Sequence, residues 1–151
     1  MHQVRAITPA ARHQLASAIP PGGPLDRDQL GVAMTTLGEA KVKLAGTIVE
    51  HDFRLLVALR REMLTSARLL RTIATSGGLF PAEYRSGAND AMRAARTLGR
   101  VSVELERFAR MSGGYHGIGW PQMERRALAL LQRAKLDMDR AYAAAYTGTH
   151  Y

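Results

Sequence analysis

Nine arginines recur at seven-residue intervals along three stretches of the sequence. The three sets are Arg54, Arg61 and Arg68; Arg93, Arg100 and Arg107; and Arg126, Arg133 and Arg140. Seven residues make about two turns of α-helix, so each set would form a line along one side of a helix. A guanidinium group can bind two oxygen atoms of one phosphate or carboxylate. The spacing therefore indicates basic lines suited to a polyanion.

The first two sets are the predicted contacts with nucleic acid or another polyanion. The apolar seam of a helix is the row of apolar residues expected to face the core. Each arginine line falls two residues from the seam of its helix, roughly 200° around the helix, so the arginines are expected to point outward. Residues 53–110 hold eleven arginines against five acidic residues, a difference of +6 within a chain of formal charge +8. The predicted contacts are Arg54, Arg61, Arg68, Arg93, Arg100 and Arg107. The alternative is that both lines are solvated outer faces, paired with acids along the same helix.

Any binding of nucleic acid would follow the phosphate backbone and show little sequence specificity. No aromatic residues alternate with the arginines for base stacking, and no recognised DNA-reading motif is present. The arginine excess also has an explanation unrelated to binding. Arginine supplies 18 of the 21 basic residues, and the codons of a GC-rich genome favour arginine and alanine.

Acid–base or metal chemistry would centre on His51, whose neighbours include Glu50, Asp52 and Glu62. A di-metal helical bundle requires Glu-x-x-His motifs on facing helices, and the sequence contains none. His51 falls at a seam position, which favours a polar core residue or a residue that sets helix register. The sequence has no cysteine and no nucleophile motif around its serines. It therefore predicts no catalytic residue, no metal site, no cofactor and no enzymatic activity.

The glycine-rich segment at residues 112–120, SGGYHGIGW, predicts a loop between helices. Its amides could hold an anion together with the start of the next helix. The segment lacks the lysine and hydroxyl of a phosphate-binding loop, so a tight connection is the simpler interpretation.

Length and composition predict a single helical domain. The chain has 151 residues, of which 46% are hydrophobic, 23% charged and 6% aromatic. This composition supports a packed core and favours helix over sheet. The most apolar run, residues 55–59, is bounded by arginines and is too short to span a membrane. No signal peptide is apparent, so we expect a location in the cytoplasm or within a macromolecular assembly.

Three long helices are predicted. Residues 25–76 form one very long helix or two nearly collinear ones, with Gly38 as the expected break. After Ile48 the apolar seam shifts by four residues, the pattern of a stutter in a coiled coil. The other two helices begin near Pro81 and Pro121, since proline is favoured at the first helical position. They end near residues 111 and 146.

The predicted fold is all-α, an elongated antiparallel bundle of these three helices preceded by a short N-terminal helix. An N-terminal arm, the short helix and a Pro/Gly hinge occupy residues 1–24. The bundle domain occupies residues 25–147, and residues 148–151 are a frayed tail.

Three helices of unequal length leave part of the longest helix without an intramolecular partner. A second copy or another protein subunit would then cover its seam. The predicted self-association seam is Leu30, Met34, Leu37, Leu44 and Ile48. The leading expectation is therefore a non-enzymatic structural or assembly protein in an oligomer or larger complex, such as a phage-type particle. The alternative is a sequence-tolerant nucleic-acid-binding protein that uses the arginine lines.

Overall fold

A computed structural model of the protein describes residues 24–76, 79–112 and 117–150, which form four helices and contain no strand. Helix α1 spans Pro24–Glu50, α2 spans Leu56–Thr75, α3 spans Pro81–Ser112 and α4 spans Trp120–His150. The prediction of an all-α protein is confirmed. The predicted N-terminal arm, short helix and most of the hinge fall within residues 1–23, outside the described residues.

The four helices form a bundle in which each helix packs against two neighbours, in the cyclic order α1, α2, α3, α4. Arg60 of α2 lies over Gly99 of α3, whereas Leu70 of α2 lies beside Gly87. Residue numbers thus rise along α2 as they fall along α3, so these two helices are antiparallel. The same inverse order relates α3 to α4 and α4 to α1. Helices α1 and α3 therefore lie at opposite corners of the bundle.

The longest predicted helix is in fact two antiparallel helices, because the chain reverses across residues 51–55. His51 has a φ of 55°, and the N–H of Asp52 donates to the carbonyl of Thr47 at 3.2 Å. This is the 6→1 hydrogen bond of a Schellman helix end, with His51 in the left-handed position that glycine usually takes. The Asp52 carboxylate then accepts from the backbone N–H of Arg54 at 3.2 Å and directs the chain toward α2.

Gly38 does not break α1, so the predicted position of the break is wrong. A Cβ atom at Gly38 would lie 3.3 Å from Cε1 of Tyr142 on α4. At Gly87 a Cβ atom would lie 2.6 Å from the Cβ of Ala144, also on α4. These glycines lack a side chain where two helices approach closely, and both helices continue through them.

The core forms where the apolar faces of the four helices meet. Six residues of α4 that follow one another at three- and four-residue intervals are all buried: Ala127, Leu131, Ala134, Met138, Ala141 and Ala145. Their helix, α4, continues to His150, beyond the predicted end near residue 146. None of the helices in the described ranges has an apolar stretch sufficient to cross a membrane.

Candidate functional site

The predicted self-association seam lies inside the bundle. Leu37 and Leu44 are 0% exposed and Leu30 is 4% exposed, while Met34 and Ile48 are half-buried against the same core. Helices α2 and α4 cover this side of α1 because the chain reverses between α1 and α2. The reason for expecting a second copy at this seam, an apolar face without an intramolecular partner, is therefore absent.

The first predicted arginine line does not lie on one helix. Arg54 precedes α2, and its Nη2 atom is 2.7 Å from Oδ2 of Asp52 in the same connection. The hydrogen bonds from Arg54 hold the pKa of Asp52 below its usual value. Arg61 and Arg68 are exposed on α2 and have no acidic partner among the described residues. Two of these three arginines therefore remain available to an external anion.

The second predicted line lies on α3 but is mostly neutralised. Arg93 pairs with Asp90 of its own helix, and Nε of Arg100 is 3.2 Å from Oε2 of Glu104. Arg107 is exposed and has no acidic partner in the described part of the chain. Both helix-internal pairs follow the three- or four-residue spacing that brings side chains together on a helix. The solvated-face interpretation thus fits Arg93 and Arg100 better than Arg107.

An open groove between α2 and α3 brings arginines of both helices together. Its volume is about 610 Å³, and its charged lining consists of Arg60, Arg96, Arg100, Arg107 and Glu104. Four arginines against one glutamate leave a local charge of +3. We call this feature the arginine groove.

The geometry of the two helices explains how the arginine groove forms. Arg96, Arg100 and Arg107 lie within about 40° of one another around α3, since each residue turns the helix by roughly 100°. Arg60 reaches across from α2 and lies over Gly99, where a Cβ atom would be only 3.0 Å from the Arg60 Nε atom. A larger residue at position 99 would have to displace the Arg60 side chain.

Glu104, the acid of the arginine groove, is neutralised within the bundle. Its carboxylate accepts hydrogen bonds from Nε of Arg126 at 3.0 Å and Nε of Arg100 at 3.2 Å. These bonds, that of Arg126 first, hold the pKa of Glu104 below its usual value. Arg60, Arg96 and Arg107 have no acidic partner among the described residues. We refer to these three side chains as the unpaired arginines.

We expect Glu104→Gln to destabilise the fold at neutral pH by up to about 1 kcal/mol, because the ion pairs are partly exposed. The folded-state pKa of Glu104 lies below its usual 4.5. Its contribution is therefore present above pH 4.5 and is lost as the pH falls through the folded-state value. Urea unfolding of both proteins across this pH range measures the difference.

Glu106→Gln is the matched control, because Glu106 is 3.6 Å from Arg110 in a highly exposed pair. Its substitution should have a smaller effect than Glu104→Gln above pH 4.5, where the contribution of the Glu104 carboxylate is present. A Glu104→Gln difference that stays constant as the pH falls would contradict the assigned role of the carboxylate.

Arg60 and Arg96 are not among the predicted contacts because they fall outside the seven-residue spacing. Arg96, Arg100 and Arg107 follow the pattern i, i+4 and i+11, which also places residues on one helix face. That pattern could have identified Arg96. Nothing in the sequence indicates Arg60, since its role depends on which face of α2 packs beside α3.

His51 lies in the connection between α1 and α2, so the prediction of a polar core residue is wrong. Its side chain is 48% exposed, and its Nδ1 atom is 3.0 Å from Oε2 of Glu124 on α4. This contact links the segment between α1 and α2 to helix α4. Within residues 24–76, 79–112 and 117–150, no group of three histidine, aspartate or glutamate side chains could hold a metal ion.

The glycine-rich segment is described only in part, since residues 113–116 lie outside the described ranges. In the remainder, the N–H of Trp120 donates to the carbonyl of Gly117 at 3.1 Å. This amide is used within the turn and is not offered to an anion. Ile118 is fully exposed, whereas Trp120 packs edge-on against Phe53.

Comparison with known proteins does not place the chain in a family. No family model, curated protein or solved structure matches it. The arginine groove and the faces that the bundle leaves exposed are therefore the features that bear on function.

Proposed function

We propose that this protein binds nucleic acid through its phosphate backbone, using the arginine groove. The observation that carries the proposal is the meeting of three unpaired arginines, Arg60, Arg96 and Arg107, from two different helices. A guanidinium group without an acidic partner can bind a phosphate without first breaking an ion pair. These side chains therefore favour an external anion more than Arg93 or Arg100 does.

The basic surface extends beyond the groove along α2. Arg61, Arg68 and Arg71 are exposed there and have no acidic partner among the described residues. From Arg60 to Arg71 the helix advances by roughly 16 Å at 1.5 Å per residue. A linear polyanion, with phosphates at regular intervals, fits such an extended surface better than a compact anion does.

The lining of the groove favours contact with a duplex backbone over single-stranded bases. It includes Val57, Val103 and Gly99 but, within the described part of the chain, no aromatic side chain. Proteins that hold single strands generally stack bases on aromatic rings. Arginine contacts with phosphates position a duplex but do not read its sequence. We therefore expect binding with little sequence preference.

Equilibrium binding of a random-sequence duplex at several salt concentrations tests this function. Each neutralised phosphate contributes roughly −0.9 to the slope of log affinity against log salt, so three unpaired arginines give about −3 or steeper. No binding at low salt, or a slope near zero, would exclude backbone binding by the groove.

Assembly with other protein molecules is a second candidate function, favoured by the outer face of α1. Val42 is 73% exposed and Val49 is 79% exposed on this face, which lies away from α3 across the bundle. The two valines lie two turns apart on one side of the helix, where a partner molecule would remove both from water. A structural subunit of a larger, phage-type complex would use such a face. Neither candidate function involves catalysis.

A further inference from the structure

We propose that the protein forms a homodimer in which the outer faces of two α1 helices pack antiparallel across a twofold axis. The proposal rests on the second candidate function and names the partner as a second copy of this chain. It is independent of nucleic-acid binding, because the arginine groove lies between α2 and α3.

The outer face of α1 carries two projections and two gaps with equal spacing. Val42 and Val49 are the projections, seven residues apart and mostly exposed. Gly31 and Gly38 are the gaps, also seven residues apart. All four residues lie within about 40° of one another around the helix, at roughly 100° per residue. They therefore form one line along the exposed side of α1.

The projections and gaps fit each other when two copies pack antiparallel. Residue numbers rise along one helix of such a pair as they fall along the other. The numbers of any two facing residues therefore add up to the same total. A sum of 80 places Val42 opposite Gly38 of the second copy and Val49 opposite Gly31 of the second copy. The twofold axis repeats both contacts, so every projecting valine meets a glycine. Such self-complementarity is what a twofold interface requires.

The gap at Gly38 is an open depression of about 550 Å³. Its lining includes Thr35, Gly38, Glu39 and Val42, with the ring of Tyr142 beneath. Four residues with this i, i+3, i+4, i+7 spacing form the hole that receives a knob from a facing helix. A Cβ atom at Gly31 would meet no atom within 4 Å. The surface is thus open at Gly31 and recessed at Gly38, where the Tyr142 ring forms the floor of the depression that would receive a valine.

Two oppositely charged residues on one edge of this face favour nearly the same alignment of the two α1 helices as the valines and glycines do. Glu39 and Lys43 lie about 40° apart around α1, by the same rotation of roughly 100° per residue. The twofold axis brings this edge of both copies together and places Glu39 opposite Lys43 of the second copy, and the reverse. Lys43 also lies 3.3 Å from Glu62 of its own chain, and its side chain is 46% exposed. The numbers of Glu39 and Lys43 add up to 82, which is an offset of about 3 Å along the helix from the valine–glycine register, a distance that the long lysine side chain can span.

The molar mass of the full chain in solution tests the dimer. Light scattering or sedimentation should give about 33 kDa, twice the 16.5 kDa of one chain. Val42→Arg together with Val49→Arg should give the mass of one chain, with helicity unchanged by circular dichroism. Leu136→Arg, at a 55% exposed position on α4, is the control and should stay dimeric. A wild-type mass of one chain at the highest soluble concentration would overturn the proposal, as would a dimeric valine variant.

A charge exchange tests the antiparallel register. Glu39→Lys alone and Lys43→Glu alone each create two repulsive contacts in their own dimer, so each should dimerise more weakly than wild type. In the mixed dimer of these two variants, both contacts are attractive again. An equimolar mixture of the folded variants should therefore dimerise more tightly than either alone, and no gain on mixing would overturn the register.

Duplex binding measured on the valine variant separates the two functions, because loss of the dimer should leave the arginine groove intact.

Discussion

Leu44→Ala should lower the free energy of unfolding by about 2–5 kcal/mol, the usual loss for a fully buried leucine. Leu44 is 0% exposed in the core of the bundle, so the substitution removes packed atoms and leaves a cavity. Leu136→Ala makes the same chemical change at a 55% exposed position and should cost less than about 1 kcal/mol. Urea unfolding of the wild type and the two variants, all at the same protein concentration, measures both differences in the free energy of unfolding.

This comparison separates a core leucine from a leucine at an interface between molecules. If Leu44 contacted another copy, its substitution would change the mass of the oligomer and leave the stability of the separated chain nearly unaltered. Equal small losses for Leu44→Ala and Leu136→Ala would contradict the four-helix packing.

Replacement of the three unpaired arginines by glutamine, at Arg60, Arg96 and Arg107, should weaken duplex binding by about 100-fold, taking roughly 1 kcal/mol for each lost contact. The fold should be preserved, because no acidic partner is left unpaired among the described residues. The loss should be similar for duplexes of different sequence, since phosphate contacts carry no base information. Fluorescence anisotropy with labelled duplexes measures both effects.

The matched control replaces Arg125, Arg133 and Arg140 of α4 by glutamine. This variant also lowers the formal net charge of +8 by three, but it leaves the arginine groove unchanged. The control should retain most of the affinity. Equal losses in both triple variants would mean that total charge, and not the groove, governs binding.

The helical class and the last two helices could be predicted because their signals are local. Pro81 begins α3, and a start near Pro121 comes within one residue of Trp120, where α4 begins. The alternation of apolar residues also identifies the buried side of α4, including Leu131 and Met138. Such patterns depend on one helix at a time, so a single sequence is sufficient.

The reversal between α1 and α2 could not be recognised because its turn contains neither glycine nor proline. His51 takes the left-handed position, which a non-glycine residue seldom adopts. The reversal does shift the apolar seam by four residues after Ile48. A stutter within one continuous helix gives the same shift, so the sequence pattern does not distinguish the two. Once the turn is misassigned, the number of helices and the partner of Leu44 are also misassigned.

The candidate site depends on how helices face each other, which spacing along one helix cannot supply. Regular spacing identified Arg107 but also selected Arg93, which pairs with Asp90. The arginine groove requires α2 to bring Arg60 over Gly99 of α3. The outer face of α1 likewise became apparent only when the predicted seam proved to be buried.

The most direct measurement of the proposed function is the salt dependence of duplex binding by the wild type and the two triple variants. Loss of the unpaired arginines should make the log–log slope less steep by about 2.7, at roughly 0.9 for each phosphate contact. The α4 variant should keep nearly the wild-type slope. A groove variant with the wild-type slope would show that these three arginines do not contact phosphates, and would contradict the proposed function.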